Sequence, residues 1–252
     1  MATSYTKTDG TEEAEKQRQD GWSGPVSKLK VSEVPVGAVN LNVEGRHVTG
    51  PLQGFGQLWQ KTFTLRLDGA DVSPQEVVKT WKENFPRFHA KENRFYTSSG
   101  GIKPGEVVLI NASTPGGPVS TGMLVLYVDN ESFTLMTPEG HPESGWVTFS
   151  AYEQDGATVA QVQTMARAND PVYELAFIAL GSKLQDSIWE AVLRTLGKHY
   201  GVQGSVQKQK ICIDTRRQWS RARNVFYNAQ IRTIIYTMAA PLRWIGRLVR
   251  RK

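Results

Sequence analysis

EVVLINAS at 106–113, followed at 122–201 by GMLVLYVDNESFTLMTPEGHPESGWVTFSAYEQDGATVAQVQTMARANDPVYELAFIALGSKLQDSIWEAVLRTLGKHYG, is the stretch that decides the fold. Short runs alternating apolar and polar residues mark half-buried strands, and turn signals at 115–118, 129–130, 138–145 and 155–156 break them. Strands are expected near 106–112, 122–128, 132–137, 145–152 and 158–168. Helical spacing then takes over. Asp170 suits an N-cap and Pro171 the first helical position, while Tyr173, Phe177, Leu180, Leu184, Ile188, Ala191 and Leu196 recur at helical intervals. One long helix over 170–200 is expected. Its apolar character is broad, taking in Leu175, Ile178, Trp189 and Val192, so it needs cover on more than one side. Antiparallel strands closed by a helix, each with one apolar face to bury, make an α+β fold.

Upstream, LWQKTFTLRL at 58–67 alternates as an opening strand. SPQE at 73–76 is a capping box with Pro74 at the first helical position, so a helix is expected from Pro74 to about Asn84, stopping before Pro86. Residues 97–105, TSSGGIKPG, form a loop with neither a phosphate-loop nor a dinucleotide pattern. Residues 25–57 are punctuated by glycine and proline and read as a loop-rich lead-in with one short strand at 38–43. Residues 1–24 are polar and read as a disordered arm without the apolar core of a signal peptide. The expected organisation is therefore an arm (1–24), a lead-in (25–57), one folded domain (58–201) and a basic extension (202–252).

The net charge of +6 hides a division within the chain. Residues 1–200 hold 18 Lys and Arg against 23 Asp and Glu, whereas residues 201–252 hold 12 against the single Asp214. Any anionic partner meets the tail first. The lone Cys212 excludes an intrachain disulfide framework and suits a reducing, cytoplasmic compartment; beside two isoleucines it reads as a small core residue.

Strand, helix, antiparallel sheet and long C-terminal helix is an order that resembles the START-like, helix-grip superfamily, which includes polyketide cyclases, lipid-transfer domains and Bet v 1-type proteins. The turn Pro138, Gly140, His141, Pro142, Glu143 and Gly145 is similar to that of a bacterial and plant domain family of unknown function within it. Here Glu139 is an extra residue and Trp146 stands where acidic character often follows the glycine. The resemblance covers about 58–200. It implies a curved sheet gripping the helix, with a cavity between them for a small apolar or lipid-like ligand. The candidate wall is Trp81, Phe85, Tyr96, Met123, Val125, Tyr127, Trp146, Met165, Phe177 and Trp189. Each of these also reads as ordinary core.

The chemistry is sparse. His47, His89, His141 and His199 show no metal-ligand spacing, no GxSxG elbow is present, and no cofactor or metal is expected. His141, between Glu139 and Glu143, suits either a general acid–base with a raised pKa or a residue that fixes the turn. Arg167 ends a strand whose inward set is read as Val159, Gln161, Gln163 and Met165; it either anchors a ligand carboxylate or pairs with Glu174 or Asp170. Two functional classes follow: a binding or carrier protein, and a cyclase- or hydratase-type enzyme on an apolar carbonyl compound that uses Arg167, His141 and Tyr127.

A third reading rests on the tail. Tyr227, Ile231, Ile234, Met238, Leu242, Ile245 and Val249 follow a helical stripe among arginines, and Pro241 divides or kinks it. Residues 215–252 are expected to form one or two amphipathic helices. They lie on an anionic membrane surface, pack on the protein's own body, or self-associate. Nucleic-acid binding fits less well, because the stripe is more apolar than phosphate tracking needs.

Overall fold

The structure, a computed structural model, describes residues 20–179 and 183–240. Its centre is one antiparallel sheet of eight strands: β1 (Leu58–Arg66), β2 (Asn93–Tyr96), β3 (Val107–Thr114), β4 (Gly117–Val128), β5 (Ser132–Met136), β6 (Glu143–Gln154), β7 (Ala157–Ala168) and β8 (Gln207–Asp214). Their spatial order is β2-β3-β4-β5-β6-β7-β1-β8. Helices α1 (Pro74–Glu83), α2 (Pro171–Ala179), α3 (Lys183–His199) and α4 (Ala229–Met238) complete the regular structure. This is the helix-grip α+β arrangement: β1 closes against β7, and α1 and α3 lie across the concave face.

The local signals act as the sequence suggests. Ser73 Oγ accepts the Glu76 N–H at 3.3 Å and Glu76 Oε2 accepts the Ser73 N–H at 3.0 Å, closing the capping box of α1. Asp170 Oδ1 accepts the amides of Val172 (2.8 Å) and Tyr173 (3.1 Å) at the start of α2.

Five expectations need correction. The helix expected over 170–200 is two helices, α2 and α3, and Leu180 lies outside the described residues. The breadth of its apolar character has a simple cause, because the two helices bury different faces. Tyr173 of α2 and Trp189, Val192, Leu193 and Leu196 of α3 point inward, while Leu175 and Ile178 of α2 are exposed. Residues 207–214, placed in the basic extension, form β8 on the outer edge of β1. Cys212 is half-buried there opposite Trp59 rather than in the core. No strand forms at 38–43. Finally, the end of the arm is ordered against β4: Ser23 donates its N–H to the Leu126 carbonyl at 2.9 Å, and Trp22 packs on Tyr127.

The lead-in covers the convex face of the sheet. Leu29 and Val43 bury Val107, Leu109 and Leu124 there. Further on, 50–56 lies across the ends of β6 and β7, with Phe55 and Gly56 donating their N–H groups to the Ala168 carbonyl. That approach needs glycine, since a Cβ on Gly54 would stand 2.8 Å from Arg167 Cβ and 2.9 Å from Ser144 Cβ.

Candidate functional site: a cavity under the helices

The concave face is built unevenly. At one end large rings fill it: Trp81, Phe85, Phe133 and Phe149 are fully buried and meet in edge-on and stacked pairs 4.8–6.3 Å apart. At the other end the inward positions are small. Ala112, Val119 and Thr121 on β3 and β4, and Thr164 and Ala166 on β7, project too little to reach the helices. A cavity of about 210 Å³ remains. Phe95, Ile110, Met123 and Val147 continue its floor, and Ala176, Phe177, Ile188 and Trp189 roof it.

The sheet also opens there. β5 pairs with β4 only at 124–128, so the upstream half of β4 has no strand beside it on that edge. The first turn of α4 occupies the gap. The Ser120 N–H donates to Thr233 Oγ1 (3.1 Å), the Ala229 N–H to the Gly140 carbonyl (2.8 Å) and the Gln230 N–H to Tyr173 Oη (3.0 Å). Gln230 Nε2 reaches Thr114 Oγ1 at 2.8 Å, across the rim where Pro115 and Gly116 are exposed. Asn228 Oδ1 caps α4 at the Ile231 N–H (3.0 Å), and its Nδ2 donates to Asp170 Oδ2 (2.8 Å). The caps of α2 and α4 are thereby joined at the mouth. Burial raises the pKa of Asp170 in spite of these three donors.

The residues singled out from sequence fall into three groups. Phe177 and Trp189 put their side chains on the cavity, and Met123, though not Val125, lies beside them. Trp81 and Phe85 are core at the filled end. Tyr96, Tyr127, Trp146, Met165 and Arg167 belong to the convex face. The register decides this: Tyr96 pairs with Leu109, and Trp146 with both Met136 and Met165. Trp146 thus meets the cavity through its main chain. A bulge between Val125 and Tyr127 turns Tyr127 outward, where its hydroxyl donates to Asp129 Oδ2 at 2.8 Å.

The inward set of β7 is therefore the even one, Ala160, Val162, Thr164 and Ala166, and the expected odd set is corrected. Arg167 is 2% exposed because the lead-in covers it, and it anchors neither a ligand nor Glu174 or Asp170. It donates to the carbonyls of Gly56 (2.7 Å) and Arg216 (2.8 Å) and to Asp214 Oδ2 (2.7 Å), locking β7, the lead-in and β8 together. Glu174 pairs with Arg217 instead, at 2.8 Å.

His141 lines the cavity with Pro142 and Glu143. The tight turn places it: Gly140 has φ +88°, and a Cβ there would collide with the Tyr227 carbonyl. His141 Nδ1 lies 3.0 Å from both N and O of Glu143. The main chain of Glu143 thus holds the ring at Nδ1 and leaves Nε2 as its other polar atom. The expected rise in pKa is corrected: burial lowers it from 6.5 to about 4. Glu139 is drawn off by Arg46 at 3.6 Å. At neutral pH His141 is uncharged. Of the three groups an enzymatic mechanism would use, it alone is at the cavity.

The fold is a helix-grip α+β arrangement with an apolar chamber between the concave face of the sheet and helices α2 and α3. No protein-family model matches the chain, and no curated protein sequence matches it. Solved structures are similar in outline. The di-domain ARO/CYC StfQ from the steffimycin biosynthetic pathway aligns over 57% of this chain and 51% of its own, with 11% identity and a TM-score of 0.43. The chain thus spans about half the length of StfQ. Ara h 8.0201 aligns over 56% and 97%, with 15% identity and a TM-score of 0.37. A conserved protein from Geobacillus kaustophilus aligns over 59% and 99%, with 11% identity and a TM-score of 0.43.

Proposed function

We propose that the protein binds and carries a small, largely apolar and ring-shaped molecule in this cavity. The observation that carries the reading is the contrast along one sheet face, packed with rings at one end and lined with alanine, threonine and valine at the other. An apolar void of ~150 Å³ is already large enough to take up benzene. About 210 Å³ suits a fused two-ring compound. The polar contact is the neutral His141, which favours a carbonyl or hydroxyl oxygen over a carboxylate, because Glu143 stands on the same wall. Phe177 and Trp189 are the aromatic contacts. Convex-face residues such as Arg167 act through stability alone.

The test is titration with 1-naphthol, followed by its fluorescence, alongside native mass spectrometry of freshly purified protein. Saturable binding with one site is expected. A protein that carries no apolar adduct and gives no saturation with naphthol or 2-acetonaphthone sinks the proposal.

A further inference from the structure

Helices α2 and α4 flank the mouth, and each turns an apolar stripe outward. On α2 the stripe is Val172, Leu175 (66% exposed) and Ile178 (60%). On α4 it is Ile231, Ile235 (62%) and Met238 (76%), at spacings of four and three, and Phe226 is exposed just before it. The opposite side of α4 is already used, with Ala229 and Thr233 buried and Ile234 against Gly117. Among the described residues nothing covers these stripes.

The charge that the C-terminal stretch brings to them is of one sign. After Asp214 the chain has no acidic residue. Arg216 pairs with Asp214, Arg217 with Glu174, and Arg232 donates to Asn42, but Arg221 and Arg223 have no acidic partner among the described residues. Beyond α4 the sequence continues as PLRWIGRLVRRK, which adds Arg243, Arg247, Arg250, Arg251 and Lys252 together with Trp244. Among the described residues no helix is long and apolar enough to cross a membrane.

We propose that this face docks on an anionic lipid bilayer, with the cavity mouth turned toward the lipid. Exposed aliphatic side chains on a strongly cationic stretch of chain are what an interfacial helix presents to acidic headgroups. A second copy of the chain fits poorly. Twofold pairing would set this cationic face against itself, and like charges across an interface oppose it. Docking also gives the cavity a route, since a ligand dissolved in the bilayer enters past Gln230 without crossing water. That route rests on the cavity reading; the docking itself does not.

Co-sedimentation with vesicles tests it, using phosphatidylcholine alone and an equal mixture with phosphatidylserine. The full chain is expected to pellet with the anionic vesicles only, and to be released by high salt. Ile235→Asp with Met238→Asp, and separately Leu175→Asp, should lower partitioning ~tenfold or more while 1-naphthol binding and the melting temperature hold. Wild-type partitioning in these variants, binding to neutral vesicles alone, or no binding at all overturns the proposal. So does a dimer in analytical ultracentrifugation that the same substitutions abolish, because the occupant is then a second copy. Failure of naphthol binding with vesicle binding intact overturns the cavity reading and leaves the docking standing.

Discussion

Replacing Ala166 by leucine puts three more carbons into the cavity from the β7 floor. The two outcomes it separates are far apart. In a close-packed interior, three extra carbons force off-rotamer side chains and cost ~1–3 kcal/mol. In a void of about 210 Å³ they have room, and burying them stabilises the apo protein. At ~0.8 kcal/mol for each methylene removed from water, three contribute up to ~2.4 kcal/mol. The same carbons exclude an equal part of a ligand. Losing ~2.4 kcal/mol of burial weakens binding about 60-fold. Urea unfolding and 1-naphthol titration on Ala166→Leu read both effects in one variant. We expect unfolding to shift to the same or higher urea while affinity falls by more than tenfold. A protein that loses stability yet binds naphthol as before would show that the space beside Ala166 is neither empty nor the ligand's.

Arg167→Met should lower stability by ~3 kcal/mol or more, because the Gly56 and Arg216 carbonyls and Asp214 lose a buried donor; naphthol affinity per folded molecule should hold, as measured by titration below the transition. His89 gives an acid-sensitive step. Its Nδ1–H donates to the Phe85 carbonyl, its Nε2 is buried without a partner, and burial lowers its pKa from 6.5 to about 4. The unfolded chain takes up the proton first, so the contribution is complete above pH ~6.5 and is lost as pH falls toward ~4, by about 3 kcal/mol. Urea midpoints between pH 7 and 4 should therefore fall less steeply in His89→Phe. Asn228→Ala removes the cap of α4 and the donor to Asp170, costing ~1 kcal/mol and loosening the mouth. Stopped-flow release of naphthol should quicken in that variant. His141→Leu should weaken 2-acetonaphthone about fivefold, the worth of one hydrogen bond, and leave naphthalene unchanged.

Much of the fold is readable in the chain because its signals are local. SPQE opens a helix, Asp170-Pro171 opens another, and six of the strands stand where alternation and turns set them. β2 and β8 were missed for a physical reason. Each is an edge strand, and the polar QKQK of β8 gains its place from pairing with β1 rather than from burying a face. The candidate wall was harder, since face assignment depends on register, and one residue of slip exchanges the faces. The two glutamines and the arginine in the odd set of β7 were the signal that this set faces away from the cavity. The bulge that turns Tyr127 outward left no trace in composition. What marks the cavity in the sequence is where large residues are missing, the Thr164–Ala166 end of a strand whose neighbours elsewhere carry phenylalanine. That pattern becomes legible only when the strands are set side by side.

The most direct test of the central claim is a crystal structure of the protein soaked with a brominated naphthol, located by the anomalous signal of bromine. The account predicts one bromine site inside the fold, enclosed by Ala166, Phe177 and Trp189, with the hydroxyl toward His141. Bromine found only on the outer surface, with ordered side chains filling the space between β7 and α2, would contradict it.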